Sequence, residues 1–136
     1  MPGVYALALP VSDIGGENFD WIADIIYFGM TNSVGGLAAR LKQFDNTIHR
    51  KEGHGGGCRV RYKHRDYDEL TKKLFVSISP VECSVKSGLP ADFLKMGEVA
   101  YLEYYCFAKF SERHQRWAEF NNPKAPKLTA AEIQRQ

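Results

Sequence analysis

Cysteine is scarce in this chain. Cys58, Cys83 and Cys106 are the only three, none forms a CxxC pair, and an odd number cannot all bridge. A disulfide scaffold is thereby excluded, and a reducing compartment, the cytoplasm, is the expected setting. Long apolar runs are lacking too. Nothing approaches the roughly 20 residues needed to span a bilayer, so no membrane role is expected. The apolar stretch at Val4–Val11 has no basic segment before it and reads as a strand, not a signal peptide. There is no internal repeat, and the only compositional bias is the Gly-His-Gly-Gly-Gly run ending at Gly57. Net charge is a mere +2.

What is present suits one folded domain. The chain has 136 residues, 44% hydrophobic and 25% charged, enough to bury a core without staples. We read residues 1–122 as the domain and 123–136 as a tail, because Pro123 and Pro126 interrupt the pattern and only a Thr129–Glu132 pair hints at a short terminal helix. The small net charge hides an uneven distribution. Between Arg40 and Arg65 eight Lys/Arg face only Asp45 and Glu52, leaving that segment at +6 and the remainder at −4. His49, His54 and His64 lie there as well. Such a block attracts phosphate, or is simply a solvated charged face. Zinc finds no support, since the histidines and Cys58 lack CxxC or HxxxH spacing.

Periodicity places the elements. Val4–Pro10 reads as a first strand, Val11–Asp20 as a loop, and Trp21–Met30 as a central strand buried on both faces. Ser33 is the expected N-cap of the next helix, whose residues Val34, Leu37, Ala38, Leu41, Phe44 and Ile48 share an arc of about 120°. Arg40 falls about 40° outside that arc, where packing can brace it while its guanidinium reaches a cleft. The glycine run at 53–57 is expected to break the helix. Cys58–Tyr67 fits a short helix or an extended piece, Tyr67–Lys73 a helical turn, and Leu74–Val81 a third strand leaving the sheet at Pro80. Pro90 opens a long helix reaching about Trp117.

Two sets of residues carry chemistry. Tyr5 and Tyr27 fall on neighbouring strands with Arg40 on the following helix, although either tyrosine alone would pass for a sheet aromatic. Glu103 is set in the middle of an apolar stripe formed by Val99, Ala100, Cys106, Phe107 and Phe110. A carboxylate there costs several kcal/mol unless a cation, a hydrogen-bond donor or a metal meets it. It either pairs with an arginine or tyrosine at the core edge or serves as the single oxygen ligand of a hydrated Mg²⁺.

Gly3-Val4-Tyr5, Tyr27-Phe28-Gly29, Thr31-Asn32, Leu37 with Arg40-Leu41, Glu103 and Phe120-Asn121, in that succession, resemble the GIY-YIG nuclease family. The likeness covers about residues 3 to 122, and the stretch from Phe28 to Phe44 carries most of it. The resemblance implies an α+β fold, a small three-stranded antiparallel sheet flanked by helices with a long C-terminal helix. It implies metal-dependent hydrolysis of DNA phosphodiesters, with double-stranded DNA as partner and one Mg²⁺ or Mn²⁺ per site. Tyr5 would be the general base or relay to the attacking water, and Tyr27 would orient water or phosphate. Arg40 would stabilise charge on phosphorus, Glu103 would hold the metal, and Asn121 would support the site. Positive charge from Arg40 and the metal is expected to lower the tyrosine pKa. Many members carry His or Tyr one turn after the arginine, where this chain has Phe44. His54 or His49 would then supply that function. A homodimer is one expected assembly, and a catalytically inactive nucleic-acid-binding module is the alternative reading.

Overall fold

The computed structural model describes residues 1–49 and 54–127. The chain is α+β, with a three-stranded antiparallel sheet and, among the described residues, four α-helices. Strands β1 (Gly3–Ala8), β2 (Ile25–Thr31) and β3 (Phe75–Pro80) stand in the order β2-β1-β3. Helices α1 (Gly36–Ile48), α2 (Gly55–Lys63) and α3 (Tyr67–Lys73) link the last two strands, and α4 (Pro90–His114) follows β3. A short 3₁₀ turn at Glu119–Asn121 comes next. Among the described residues no helix is long and apolar enough to cross a membrane, and no disulfide forms.

Period-two alternation in β1 sends its side chains into two cores. Tyr5 and Leu7 join Leu37, Phe44, Ile48, Val60, Leu70 and Phe120, contributed by α1, α2, α3 and the 3₁₀ turn. Ala6 and Ala8 face the other way, with Ile25, Phe28 and Phe110. The small alanines let α4 approach that face closely, and Val99 and Phe110 are its buried anchors.

Four expectations are corrected. The central strand is β1, and β2, which begins only at Ile25, is an edge. Its apolar residues are covered on both faces even so, because α4 and the 3₁₀ turn wrap it. Ser33 does not cap α1. Its hydroxyl pairs with Thr31 Oγ1 at 2.8 Å, and the helix starts at Gly36, after Gly35 and without a side-chain cap. Gly36 has φ +66, and a Cβ there would collide with the Met1 backbone. Val34 therefore precedes the helix and is exposed, as is Ala38, leaving Leu37, Phe44 and Ile48 as the buried stripe. The glycine run also does more than break α1. Gly55–Gly57 form the first turn of α2, with His54 as N-cap accepting from the Gly57 N–H at 3.1 Å. The basic stretch that follows is helical. Helix α4 ends at His114, where Gln115 takes a left-handed conformation that stops it short of Trp117. Thr129 and Glu132 lie outside the described residues.

Candidate functional site

The sheet register sets the site. Tyr5 on β1 stands opposite Gly29 on β2, and Leu7 opposite Tyr27. Both tyrosines therefore point to the face covered by α1 and α2, one step apart on adjacent strands. Their rings are 6.1 Å apart at centroid. Two glycines make the room. A Cβ at Gly29 would overlap the Tyr5 ring, and one at Gly56 would overlap the Tyr27 ring. The glycine-rich start of α2 is thus what lets that helix close over the tyrosines.

His54 completes this cluster. Its Nε2 is 2.6 Å from the Tyr5 hydroxyl, and its ring meets those of Tyr27 and Phe44 edge-on at 5.7 and 5.3 Å. A neutral imidazole carries one proton, and Nδ1 already accepts from the Gly57 N–H. The proton is therefore on Nε2, which donates to Tyr5. Burial, followed by the positive charge of Arg40, pulls the His54 pKa down to about 4, so the ring is neutral at physiological pH. Phe44 has a packing role here. It packs against the histidine that reaches the hydroxyl from another element.

Arg40 leaves α1 half-buried, and its Nη1 donates to Gln43 Oε1 at 2.9 Å. Its positive charge acts on Tyr5 to favour the ionised phenol. Burial nevertheless pushes the Tyr5 and Tyr27 hydroxyls above the ordinary value of 10, and each feels the countervailing charge of Arg40. The expected lowering is present but smaller than desolvation, and both phenols are protonated at neutral pH. Glu103, half-buried on α4, has its pKa raised by burial, with Arg40 opposing. Its negative charge registers at both tyrosines. Residues almost 100 positions apart in sequence thus form one electrostatic unit.

A second cation was not anticipated. Arg59 on α2 also lowers the Tyr27 pKa while its Nη1 donates to the Phe120 carbonyl at 3.1 Å. In sequence it is one of several basic residues between Arg40 and Arg65, and nothing there sets it apart.

Two candidates are elsewhere. Asn121 bonds the outer edge of β2, accepting from the Phe28 N–H at 2.7 Å and donating to its carbonyl at 2.9 Å. Both its polar atoms are committed, so it braces the strand between Tyr27 and Gly29 and does not enter the cluster. His49 stacks on Tyr67 at 4.0 Å, beside a cavity of about 600 Å³ that Arg61 and Arg65 also line. Asp66, Tyr67 and Asp68 line it too, so it gathers acids, a phenol and guanidiniums of its own, apart from Tyr5 and Tyr27.

Among the described residues no three His, Cys, Asp or Glu side chains cluster to hold a metal. The donor set is one half-buried carboxylate, Glu103, within electrostatic reach of a guanidinium and two phenols. That fits a hard, hydrated Mg²⁺ or Mn²⁺ with a single protein oxygen ligand and does not fit zinc.

Comparison with family models, with curated proteins and with solved structures found no match.

Proposed function

We propose that this chain is a metal-dependent DNA endonuclease of the GIY-YIG type, hydrolysing phosphodiester bonds at the Tyr5–Tyr27–Arg40–Glu103 cluster. The observation that supports the reading is that these four residues, from two strands and two helices, are within electrostatic reach of one another, with His54 bonded to the tyrosine named as base or relay. Glu103 would hold the Mg²⁺ or Mn²⁺, which when bound supplies Lewis-acid stabilisation of the leaving oxygen. Double-stranded DNA is the proposed partner, and the basic segment around Arg40–Arg65 supplies phosphate attraction. A reducing intracellular setting suits the cysteine usage.

The protein groups divide the work according to their charge states. Tyr5 is a neutral phenol whose oxygen accepts from His54 Nε2. Its own O–H proton takes no part in that bond and can pass to a phosphate oxygen as the phenol oxygen takes one from the attacking water. Tyr5 therefore serves as a relay, and any phenolate formed in passing is met by the His54 N–H and the Arg40 guanidinium. Tyr27, one step away, orients the attacking water. Arg40 opposes the negative charge that grows on the phosphoryl oxygens, an effect strongest in a water-poor cleft. Arg59 adds positive charge behind Tyr27. Gly29 and Gly56 hold both rings in place.

The test is cleavage of supercoiled, linear and branched DNA with Mg²⁺ or Mn²⁺ by wild type, Arg40→Ala and Glu103→Ala. Both side chains are partly exposed, so the variants should fold. Wild type should cut, and each variant should lose on the order of a hundredfold or more, the usual consequence of removing one such charge. Wild-type protein that binds DNA at low salt but cuts none of these substrates would identify an inactive binding module. Undiminished cutting by the variants would refute the residue assignments.

A further inference from the structure

Helix α4 is apolar on two sides, and the fold uses only one. Its 25 residues extend about 37 Å, against about 20 Å for the six-residue strand β1 it packs near. Val99, Cys106, Phe107 and Phe110 turn towards the sheet. On nearly the opposite side, Phe93, Leu94, Tyr101, Tyr104 and Tyr105 are between 39 and 73% exposed. At roughly 200 Å² per aromatic side chain these five expose about 600 Å². That is at the upper limit for a monomer's largest apolar patch. Doubled, it exceeds the roughly 1,000 Å² of a specific interface.

Gly97 identifies the kind of partner. A glycine inside an exposed helix costs about 1 kcal/mol relative to alanine. Among the described residues nothing explains it: a Cβ at Gly97 would meet no atom within 4 Å. The residue is on the exposed apolar stripe, where the lack of a side chain lets another helix backbone come close. The stripe is also self-complementary. Gly97, Tyr101, Tyr104 and Ala108 follow one another at spacings of four, three and four, which read the same in either direction. In an antiparallel pair of α4 helices, with a two-fold axis level with the Tyr101–Tyr104 turn, each Tyr101 meets a Tyr104 and each Gly97 meets an Ala108. This is the isologous pattern of a symmetric dimer. Flanking charges are already neutralised within the helix, Lys95 by Glu98 and Lys109 by Glu112.

We infer that the outer face of α4 is the interface of a two-fold homodimer, built on Tyr101 and Tyr104 with Gly97 and Ala108 as close-approach points. The inference is independent of the nuclease reading, since Arg40, Tyr5 and Tyr27 take no part in it. Sedimentation velocity of the full chain over a wide dilution series should show a monomer–dimer equilibrium with a dissociation constant on the order of micromolar. Gly97→Arg should remain monomeric at every concentration. Its thermal midpoint at low concentration should be unchanged or raised, because the monomer has open space there and gains helix propensity. Tyr101→Glu, at a site 66% exposed, should likewise be monomeric and provides a second route should the first variant fold poorly. A wild type that stays monomeric up to its solubility limit, or dimers that persist in a folded variant, would overturn the proposal.

Discussion

Acid should weaken this protein through His54, and the size of the effect follows from its burial. His54 is 1% exposed, with Nδ1 accepting from a backbone N–H and Nε2 against the Tyr5 hydroxyl. Protonation would put a second N–H where Nδ1 must accept, and a positive charge in a dry site near Arg40. The pKa accordingly falls from 6.5 to about 4 on folding. Because the folded value is the lower one, the unfolded chain takes up the proton first as pH falls. Above pH 6.5 the ring is neutral in both states and contributes no pH dependence. Between 6.5 and 4 the native state is progressively penalised, by about 1.4 kcal/mol per pH unit, reaching about 2 kcal/mol at pH 5 and about 3 kcal/mol in full. Urea unfolding at a series of pH values, on wild type and His54→Gln, isolates this contribution. Carboxylates and His64, whose pKa is also lowered, remain in both proteins and cancel in the difference. The variant should start less stable at neutral pH yet lose less stability on acidification. Parallel stability–pH curves would refute the buried, neutral, Nε2-protonated histidine and with it the relay assigned to Tyr5.

Other outcomes follow from the same packing. Gly56→Ala should cost about 1–3 kcal/mol, since the new methyl overlaps the Tyr27 ring. Gly55→Ala, one residue away with nothing near its Cβ, should be neutral or stabilise by about 0.5–1 kcal/mol. Equal effects of the two in urea unfolding would mean that Tyr27 does not lie on α2. Asn121→Ala strips both bonds from the Phe28 backbone and should cost about 1–3 kcal/mol. It should also slow hydrolysis by displacing Tyr27, without changing the pH profile. A changed profile would place Asn121 in the chemistry.

Much of this molecule was readable from the order of residues. Alternation marked β1 and β3, and the proline at position 90 marked the start of α4. The apolar stripe of α1 was visible in part, through Leu37, Phe44 and Ile48, as was the anomaly of Glu103 among apolar neighbours. What periodicity misjudged was local competition. Ser33 turned its hydroxyl to Thr31 instead of capping, and the glycines at 55–57 opened a helix because His54 capped it from the side chain. Propensity alone cannot weigh such bonds.

The sheet order was legible only in part: β1 and β2 were expected as neighbours and do pair, but the central strand was misplaced. Continuous burial in β2 looks like a central strand, and only the wrapping by α4 and the 3₁₀ turn makes an edge strand equally dry.

The site divides in the same way. The sequence by itself determined which groups were available: two strand tyrosines, an arginine at the margin of an apolar arc, a carboxylate in an apolar stripe, and histidines in a basic segment. Tertiary structure alone decided which histidine mattered, sending His54 to Tyr5 and His49 to Tyr67. It also decided that burial outweighs Arg40 in setting the tyrosine pKa, that Asn121 braces a strand, and that Arg59 stands behind Tyr27. The reason is physical. A residue's type and helical phase are local properties of the chain, whereas desolvation and charge–charge distance depend on elements that meet only when the whole domain packs.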